Sequence, residues 1–245
     1  MSGVRCFREI RSHLNTFPGV RYFYFLDPLL NGNIRELHLF CDLIADAAHR
    51  RMIPAIQWSG NGIIRREMTS ALLHKMRAAG CVALAYGIES GSQRVLDLMR
   101  KRFKVADAEA VIRATHEAGI EVSLNFMFGF PGEIEADFQE TIGFLRRNSG
   151  SIDKVMPSDS FCYIDKGTYL YEHGAEFGVE PDPHTAFWKT IDGSNTYPGR
   201  LNRFERFCEV ASSLGLGIGA GREKVKLFKE KSLGQYRAHA AGVKI

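Results

Sequence analysis

Polar residues stand at the ends of four apolar, strand-like segments, where they could bind a charged or hydrogen-bonding ligand. Asp27 follows the first segment, Glu89 ends the third, and Asn125 lies in the fourth. The second segment leads to Arg65, whose guanidinium suits bidentate binding of a carboxylate or phosphate. Because a carboxylate is costly to bury unpaired at the end of a nearly all-apolar strand, a binding role is favoured for Glu89.

A tight turn, Gly129-Phe130-Pro131-Gly132-Glu133, follows the fourth apolar segment. Its glycines allow a ligand to approach the backbone closely, although glycines are also ordinary between a strand and a helix. Glu133 is predicted to lie in the first turn of the next helix, where the macrodipole stabilises a carboxylate by ~0.3–1 kcal/mol. Ser90 and Ser92 are most simply explained as helix caps. Taken singly, each of these residues is a weak indication of a site.

Two of the strand-end residues also have simple structural explanations. Asp27 precedes Pro28, and this pair commonly opens a turn. Arg65 is equally compatible with a surface charge. The five cysteines lie at least 35 positions apart, so neither a disulfide framework nor a metal site with close ligand spacing is visible; they are Cys6, Cys41, Cys81, Cys162 and Cys208.

The elements that must position these residues alternate along the chain. Strand-like runs begin near residues 20, 52, 81, 120 and 152, with amphipathic segments between them. Near-continuous apolar strands between such helices indicate a parallel sheet covered by helices, either a barrel or a doubly wound sheet. In both folds the loops at the carboxyl ends of the strands form the site, so the polar strand ends are predicted to form one ring.

Local signals predict where several of these elements begin and end. Asn33 with Glu36 resembles a capping box, and Thr69 is a plausible N-cap of the next helix. The second strand is predicted within residues 52–60, and the fifth within residues 152–164, where Pro157 weakens the strand pattern. Beyond about residue 165 the sequence becomes loop-rich and then helical, which we interpret as an extension of the barrel.

Composition is that of an ordinary globular protein. The 245 residues are 45% hydrophobic and carry a formal charge of +4, and residues 222–245 contain seven basic and two acidic residues. The remainder is therefore nearly neutral, which argues against a nucleic-acid-wrapping protein. No apolar run approaches the ~18 residues that span a bilayer, and the N-terminus lacks the apolar core of a signal peptide. We expect a cytoplasmic protein with neither a nucleic-acid nor a membrane partner.

Several strings in order and at suitable spacing closely resemble the radical S-adenosylmethionine (SAM) superfamily. They are FLDPLLNGNIRELHLFCDLI, WSGNGIIRREMTSALLHKMRAAG, AGCVALAYGIESGSQRVLDLMRK and THEAGIEVSLNFMFGFPGEIEADFQETIGFL. The most similar members carry a cobalamin-binding domain upstream. The resemblance covers roughly residues 20–165 and continues more weakly through residues 187–207.

The resemblance implies an α/β fold in which residues 20–165 form a partial (β/α)6 barrel of the radical SAM type. Residues 1–19 would lead into it, and residues 166–245 would form a mainly helical C-terminal extension. The family's five later strands, strands 2–6, would be present. In the family, a [4Fe–4S] cluster donates an electron to S-adenosylmethionine, and the resulting 5′-deoxyadenosyl radical abstracts hydrogen from substrate.

The resemblance also assigns cofactor-binding residues. Glu89 and Ser90 would lie near the ribose and amino-acid portion of S-adenosylmethionine, and Arg65 would bind its methionine carboxylate. The strand matching NFMFGFPGE passes the adenine and would contribute Asn125, Phe128, Gly129, Phe130, Pro131 and Gly132. No catalytic residue is assigned.

The sequence departs from the family at the cluster. Members bind it through C-x3-C-x2-C after the first barrel strand, and this triplet is absent. No metal ligand is therefore predicted, and the [4Fe–4S] cluster and cobalamin are expected only in a full-length form or with an upstream polypeptide that supplies strand 1. The isolated chain is expected to be inactive and to expose a sheet edge at VRYFYFLD, unless residues 1–19 or a partner cover it.

Three functional hypotheses follow. The first is a fragment or split half of a radical SAM enzyme that acts on an unknown substrate. The second is a cluster-free SAM-binding or scaffold protein. The third, an unrelated barrel enzyme with an anion-binding turn, is disfavoured because the turn supplies the acid Glu133 where a phosphate site would benefit from a base.

Overall fold

The computed structural model describes residues 2–158, 161–180, 182, 184–219 and 222–242. Its helices are α1 (Gly3–Thr16), α2 (Ile34–His49), α3 (Ser70–Ala78), α4 (Gln93–Leu98), α5 (Val105–Glu117), α6 (Glu135–Asn148), α7 (Tyr169–Glu172), α8 (Tyr197–Ser213) and α9 (Arg222–Ala240). Its strands are β1 (Tyr22–Phe25), β2 (Gln57–Gly62), β3 (Cys81–Glu89), β4 (Glu121–Phe126), β5 (Lys154–Pro157), β6 (Val179–Glu180), β7 (Lys189–Thr190) and β8 (Gly217–Ile218).

Six strands form one sheet in the order β1-β2-β3-β4-β5-β8, and β6 and β7 form a separate antiparallel pair. The pairs β1–β2, β2–β3 and β5–β8 are parallel. The order follows the chain without reversal, as in a barrel, whereas a doubly wound sheet reverses at a switch point. The prediction of a partial α/β barrel with a C-terminal extension is confirmed.

Local capping signals are largely realised in the structure. Thr69 Oγ1 accepts the backbone N–H of Leu72 at 3.3 Å, and Asn33 Oδ1 accepts that of Glu36 at 3.2 Å. The Glu36 carboxylate accepts the N–H of Gly3 at 2.8 Å. The predicted capping box is thus half formed, because the Glu36 carboxylate binds the start of α1 instead.

Two element boundaries differ from the prediction, and a third element lies within its predicted range. β2 begins at Gln57 and not near residue 52, since Pro54 has no amide proton to contribute to a strand ladder. α6 begins at Glu135 and not at Glu133, because Asp137 Oδ2 accepts the N–H of Ile134 at 2.8 Å and fixes the helix start there. β5 covers Lys154–Pro157, inside the range 152–164 predicted for it, of which residues 159–160 lie outside the described residues.

The C-terminal extension contributes a strand that the pattern did not predict. β8, at Gly217–Ile218, occupies the sixth place in the sheet, and two residues are too few to show an alternating pattern. The basic segment 222–245 falls mainly on α9, and residues 243–245 lie outside the described residues. Within the part of the chain that is described, no helix is long and apolar enough to cross a membrane.

The chain divides into two compact units. The first unit comprises Met1–Gly87, Ala106–Leu124 and Gly150–Asp153. Its core includes Phe25, Phe40 and Trp58, whose rings meet edge to face with centroids 5.5–5.7 Å apart. Trp58 donates its indole N–H to Ala79 O at 2.8 Å. This contact ties β2 to the end of α3.

The second unit comprises Ile88–Val105, Asn125–Ser149 and Lys154–Ile245. Its core is also aromatic, and Phe207 of α8 packs against Phe126 and Phe128 with ring centroids 4.7 and 5.0 Å apart. Residues of the extension thereby complete the core around the end of β4. The boundaries predicted after residues 19 and 165 remain predictions.

Candidate functional site

Glu89 ends β3 in a strained backbone conformation. Its φ is +66°, in the left-handed region that residues other than glycine rarely adopt. Its half-buried carboxylate accepts a hydrogen bond from Lys101 Nζ at 3.2 Å. Such strain costs about 1–3 kcal/mol and clusters at binding sites, where the surroundings enforce it. Glu89 is therefore the candidate binding residue of the second unit.

The end of β4 lies beside Glu89. Met127 donates its backbone N–H to Glu89 O at 3.0 Å, so the two strand ends are joined. The side chains of Asn125 and Met127 are half-buried, neither enclosed in the core nor fully exposed. Within the described residues, the amide of Asn125 has no hydrogen-bond partner, which leaves it available to a ligand. Asn125 thus lies on the strand next to that of Glu89, two residues before the backbone bond that joins the two strand ends.

The serines after Glu89 bind α6 and do not cap α4. Ser90 is fully buried, and its hydroxyl lies 3.1 Å from that of Thr141. Ser92 stands at the N-cap position of α4, but its hydroxyl donates to Asp137 Oδ1 at 2.8 Å. Although burial raises the pKa of Asp137, hydrogen bonds from Arg94, Ile134 and Ser92 hold that pKa below its usual value. The hydroxyl of Ser90 therefore already has a protein partner, and its predicted ribose contact stays a prediction.

The backbone of Gly129 is closed off by its own chain. A Cβ at this position would lie 2.2 Å from Cγ and Cδ of Arg200, and φ is +74°. Its N–H donates to Glu133 Oε2 at 2.5 Å, and its carbonyl accepts from Asn195 Nδ2 at 3.1 Å. The packing of Arg200 is thus sufficient reason for glycine here. The assignment of Gly129 to the cofactor site stays a prediction.

The other residues of the turn are also packed against protein. Phe128 is fully buried among Phe138, Phe204 and Phe207, and Phe130, 8% exposed, packs against Phe177. Both rings pack in the core, and their predicted contact with the adenine stays a prediction. Pro131 is buried, whereas Gly132 is exposed with φ +88°. Of the turn residues, Gly132 alone presents its backbone to solvent.

Glu133 forms a buried ion pair and does not occupy the first turn of α6. Its carboxylate is 2% exposed and accepts Arg203 Nη1 at 2.9 Å. Burial raises the pKa of Glu133 to about 7, an effect that Arg203 and the N–H of Gly129 oppose. The role predicted from the helix macrodipole is therefore wrong, because the helix starts later and the carboxylate faces inward.

Sequence reasoning missed three residues that surround the turn. Asn195, Arg200 and Arg203 contact it from 65 to 71 positions further along the chain, counted from residues 129–133. No periodicity or short motif predicts a contact at that separation. The one available signal was the weaker family resemblance of residues 187–207, which contain all three.

Arg65 lies in the first unit with its hydrogen-bonding capacity largely used. One guanidinium nitrogen, Nη1, donates to the carbonyls of Asn31 and Gly32 at 2.8 and 3.1 Å. The other, Nη2, lies 2.9 Å from Glu67 Oε1. Its predicted contact with a methionine carboxylate stays a prediction, since such a ligand would compete with Glu67. Asp27 accepts the N–H of Leu29 at 2.9 Å, as expected of a turn opener.

One face of the first unit's sheet is polar and open. Tyr22 and Tyr24, on β1, are 51% and 52% exposed. The Tyr22 hydroxyl lies 2.5 Å from Ser59 Oγ, and Asn61 Nδ2 donates to the Tyr24 hydroxyl at 3.4 Å. The opposite face carries the aromatic core, so the strands alternate as in a sheet covered by helices on one side only.

The thiols do not fit an iron–sulfur cluster. Cys41, Cys81, Cys162 and Cys208 are buried, and Cys6 is half-buried. Burial raises the pKa of Cys41, Cys162 and Cys208 to about 12, so they are not thiolates at neutral pH. Among the residues that the structure describes, no group of three or more His, Cys, Asp or Glu side chains could hold a metal ion.

Comparison with protein families gives a match over residues 6–145 to the Radical SAM superfamily. A tRNA-2-methylthio-N(6)-dimethylallyladenosine synthase from Dichelobacter nodosus is 31% identical over 191 residues, which are 74% of this chain and 35% of that protein. The protein of the same name from Pectobacterium atrosepticum is 46% identical over 60 residues, covering 24% of this chain and 13% of its own length. The chain thus spans about a third or less of these relatives.

Solved structures share the fold at low sequence identity. The methyltransferase TsrM from Kitasatospora setae, with tryptophan and a SAM analogue bound, gives a TM-score of 0.62 at 16% identity, covering 84% of this chain and 45% of that one. The cobalamin-dependent enzyme OxsB, with aqua-cobalamin bound, gives 0.50 at 18% identity over 72% of this chain and 26% of that one. These structural matches confirm the fold, and the family match over residues 6–145 confirms the resemblance inferred from the motifs.

Proposed function

This chain belongs to the radical SAM superfamily, and from that premise we propose that it forms the SAM-binding part of a radical SAM enzyme whose cluster is supplied by another polypeptide segment. Glu89 and Asn125 would hold S-adenosylmethionine. Once reduced beside an iron–sulfur cluster, this cofactor supplies the hydrogen-abstracting chemistry of the family. The residues of this chain bind and orient it.

The strained Glu89 is the observation that carries the proposal. The backbone of Glu89 keeps a left-handed conformation at the end of β3. On the neighbouring strand, the half-buried side-chain amide of Asn125 has no hydrogen-bond partner within the described residues. A carboxylate and an amide together can accept and donate to the hydroxyl and ammonium groups of S-adenosylmethionine. The pair Glu89–Lys101 further supplies charges of both signs, as a zwitterionic amino-acid moiety requires.

The burial of the thiols supports a separate source of the cluster. C-x3-C-x2-C is absent from the sequence, and the chain's own cysteines are too far apart and too enclosed to replace it. We therefore assign no cluster ligand to this chain. A partner, or an upstream part of a longer protein, would bring three thiolates.

The edge of β1 is where we place the strand of that partner. Within the described sheet, β1 has one neighbouring strand, β2. Tyr22 and Tyr24 are half exposed, and Leu26, just after the strand, is 84% exposed. An edge strand can act as a template for strand pairing. The expected consequence is self-association of the isolated chain at high concentration, measured by light scattering; a monodisperse monomer would argue against this placement.

Cofactor binding is tested by equilibrium dialysis with labelled S-adenosylmethionine. Replacing Glu89 by Gln should weaken binding by about tenfold, as loss of a charge-assisted hydrogen bond does. Glu172→Gln, an isosteric change at an exposed residue of the same unit, is the matched control and should bind like the wild type. Equal affinity of the wild type and Glu89→Gln would remove Glu89 from the site.

The source of the cluster is tested by anaerobic reconstitution with iron and sulfide. The chain alone should develop no [4Fe–4S] absorbance. With the encoded upstream polypeptide present, the absorbance should appear and 5′-deoxyadenosine should form. A stable cluster on the isolated chain, with cleavage of the cofactor, would overturn the proposal.

A second candidate function is a SAM-binding or scaffold protein that performs no chemistry. The enclosed thiols are compatible with this function as well, because neither function requires the chain to bind a cluster by itself. The DNA immediately upstream discriminates between the two functions. A cluster motif encoded there supports the split or longer enzyme, and its absence leaves the cluster-free protein.

For the complete enzyme we propose methyl or methylthio transfer as the reaction class. The similar synthases are named for adding a methylthio group, and TsrM is named a methyltransferase. Labelled methyl groups should then pass from S-adenosylmethionine to substrate in the reconstituted enzyme. Formation of 5′-deoxyadenosine without methyl transfer would contradict this class and leave the cofactor-binding proposal intact.

A further inference from the structure

Asn195, two residues before α8, and Arg203, within α8, hold the turn 129–133 from two directions. Asn195 Nδ2 donates to the carbonyls of Gly129 and Phe130 at 3.1 and 3.3 Å. Arg203 Nη1 donates to the Glu133 carboxylate at 2.9 Å and to its backbone carbonyl at 3.4 Å. Both ends of the turn are therefore fixed by side chains of the C-terminal extension.

Arg200 supports the first of these attachments, the one made by Asn195. Its aliphatic stem packs on Gly129, and Nη1 donates to Asn195 Oδ1 at 3.0 Å, which orients the amide of Asn195. Nη2 donates to the carbonyls of Ala186 and Trp188 at 2.7 and 2.9 Å, and the guanidinium lies 4.0 Å from the Trp188 ring centroid. A fully buried cation held this way has little freedom, so the amide it orients is rigid.

The turn continues directly from the strand end that meets Glu89. Met127 is two residues before Gly129, and its N–H is bonded to Glu89 O. A displacement of Gly129 would therefore be transmitted through a single intervening residue to the paired strand ends. The contacts that fix the turn also fix the direction in which the chain leaves β4.

We propose that Asn195 and Arg203 are positioning residues, which hold the turn 129–133 so that Glu89 and Met127 keep the arrangement that binds S-adenosylmethionine. The inference rests on the proposed function and assigns these residues no contact with the cofactor. The extension would thereby act on the cofactor site through the turn.

Hydrogen exchange of the amides of residues 127–134 tests the positioning directly. Asn195→Ala and Arg203→Met should each speed that exchange by about tenfold or more, because the turn loses side-chain bonds at one end. Arg206→Met removes an exposed ion pair with Glu135 from the same helix and is the matched control. Arg203→Lys keeps a cationic donor and should restore slower exchange. Unchanged exchange in both Asn195→Ala and Arg203→Met would overturn the proposal.

Dialysis of the same variants against S-adenosylmethionine tests the link to the site. Asn195→Ala and Arg203→Met, at temperatures where circular dichroism shows them folded, should bind about tenfold more weakly than Arg206→Met and Arg203→Lys. If the variants exchange faster but bind S-adenosylmethionine as tightly as the wild type, Asn195 and Arg203 only stabilise the turn. That result would overturn the proposed link between the turn and cofactor binding. If the wild type itself does not bind S-adenosylmethionine, the proposed function fails, and the exchange data still decide whether these residues position the turn.

Discussion

The two units bury different kinds of polar side chain. Within the described residues, the first unit buries only neutral ones, Asn31, Ser59 and Thr115. The second unit also buries charged ones, Glu133, Asp137, Arg200 and Arg203. All four lie at or around the turn after β4 and the start of α6.

The two units differ in how far along the chain the partner of a buried polar group lies. In the first unit, Thr115 donates to Val111 O at 2.7 Å, one helical turn earlier, so its hydroxyl is satisfied locally. In the second, Glu133 is paired with Arg203, 70 residues away. Because a buried charge without its partner costs far more than a neutral polar group, the second unit is sensitive to single changes far along the chain.

The largest effect should come from breaking the buried ion pair. Arg203→Met leaves Glu133 buried without its counter-ion, which should lower the free energy of unfolding by about 3–5 kcal/mol at pH 8. The loss should be smaller at pH 6, where Glu133 takes up a proton. Urea denaturation followed by the fluorescence of Trp188, in the second unit, measures it. Equal losses at both pH values would show that the carboxylate is not the group left unpaired.

The pH dependence of the wild type should be the next largest effect. The pKa of Glu133 is raised to about 7 from 4.5, so the stability this group contributes is full below pH 4.5 and is lost as pH rises through 7. The expected decrease is roughly 3 kcal/mol. Charged groups that act on Glu133 are Arg203 on α8, Asp137 on α6 and Arg94 on α4. Glu133→Gln should flatten the curve between pH 5 and 8, and an unaltered slope would assign the titration to another group.

A neutral buried residue of the first unit should give a smaller effect that is independent of pH. Asn31 exchanges two hydrogen bonds with the backbone of Ile63, at 2.8 and 3.0 Å. Asn31→Ala leaves both backbone groups without this partner and should cost about 1–3 kcal/mol. Trp58, in the first unit, reports the unfolding. A cost that changes between pH 5 and 8 would break the contrast between the two units.

An exposed ion pair of the first unit should give the smallest effect. Lys75 Nζ lies 2.8 Å from Asp42, with the two side chains 36% and 60% exposed. Lys75→Met should change the free energy of unfolding by about 0–1 kcal/mol, since solvent screens such pairs. The same urea experiment decides it. If Lys75→Met lowered the free energy of unfolding as much as Arg203→Met, burial of the ion pair would not explain the difference between the two units.

Much of the fold could be predicted because its signals are local. β3 runs from Cys81 to Glu89 as predicted, since an almost unbroken apolar run is bounded by Gly80 and Ser90. Thr69 caps α3 as predicted, because capping needs only a hydroxyl three residues before its partner. The binding role of Glu89 was also inferred from its own strand, where a lone carboxylate interrupts an apolar pattern, and it stays a prediction.

The rest could not be predicted because its causes lie far away in the chain. Gly129 is explained by the stem of Arg200, and Glu133 faces inward because Arg203 is there to receive it. The spacing of residues near the turn predicts neither contact. The packing of Phe128 and Phe130 could not be predicted for the same reason, since the α8 residues and Phe177 that cover them follow more than 40 positions later.

The enclosure of four of the five cysteines has a practical consequence. A maleimide reagent reacts with an accessible thiolate, and in the folded chain Cys6, on α1, is the half-buried thiol that such a reagent can reach. Labelling of the native protein should therefore place one dye or spin probe at a single known position. Unfolding exposes the other four thiols to the reagent. A chain labelled while folded should therefore carry one label and a chain labelled while unfolded five, and mass spectrometry distinguishes the two.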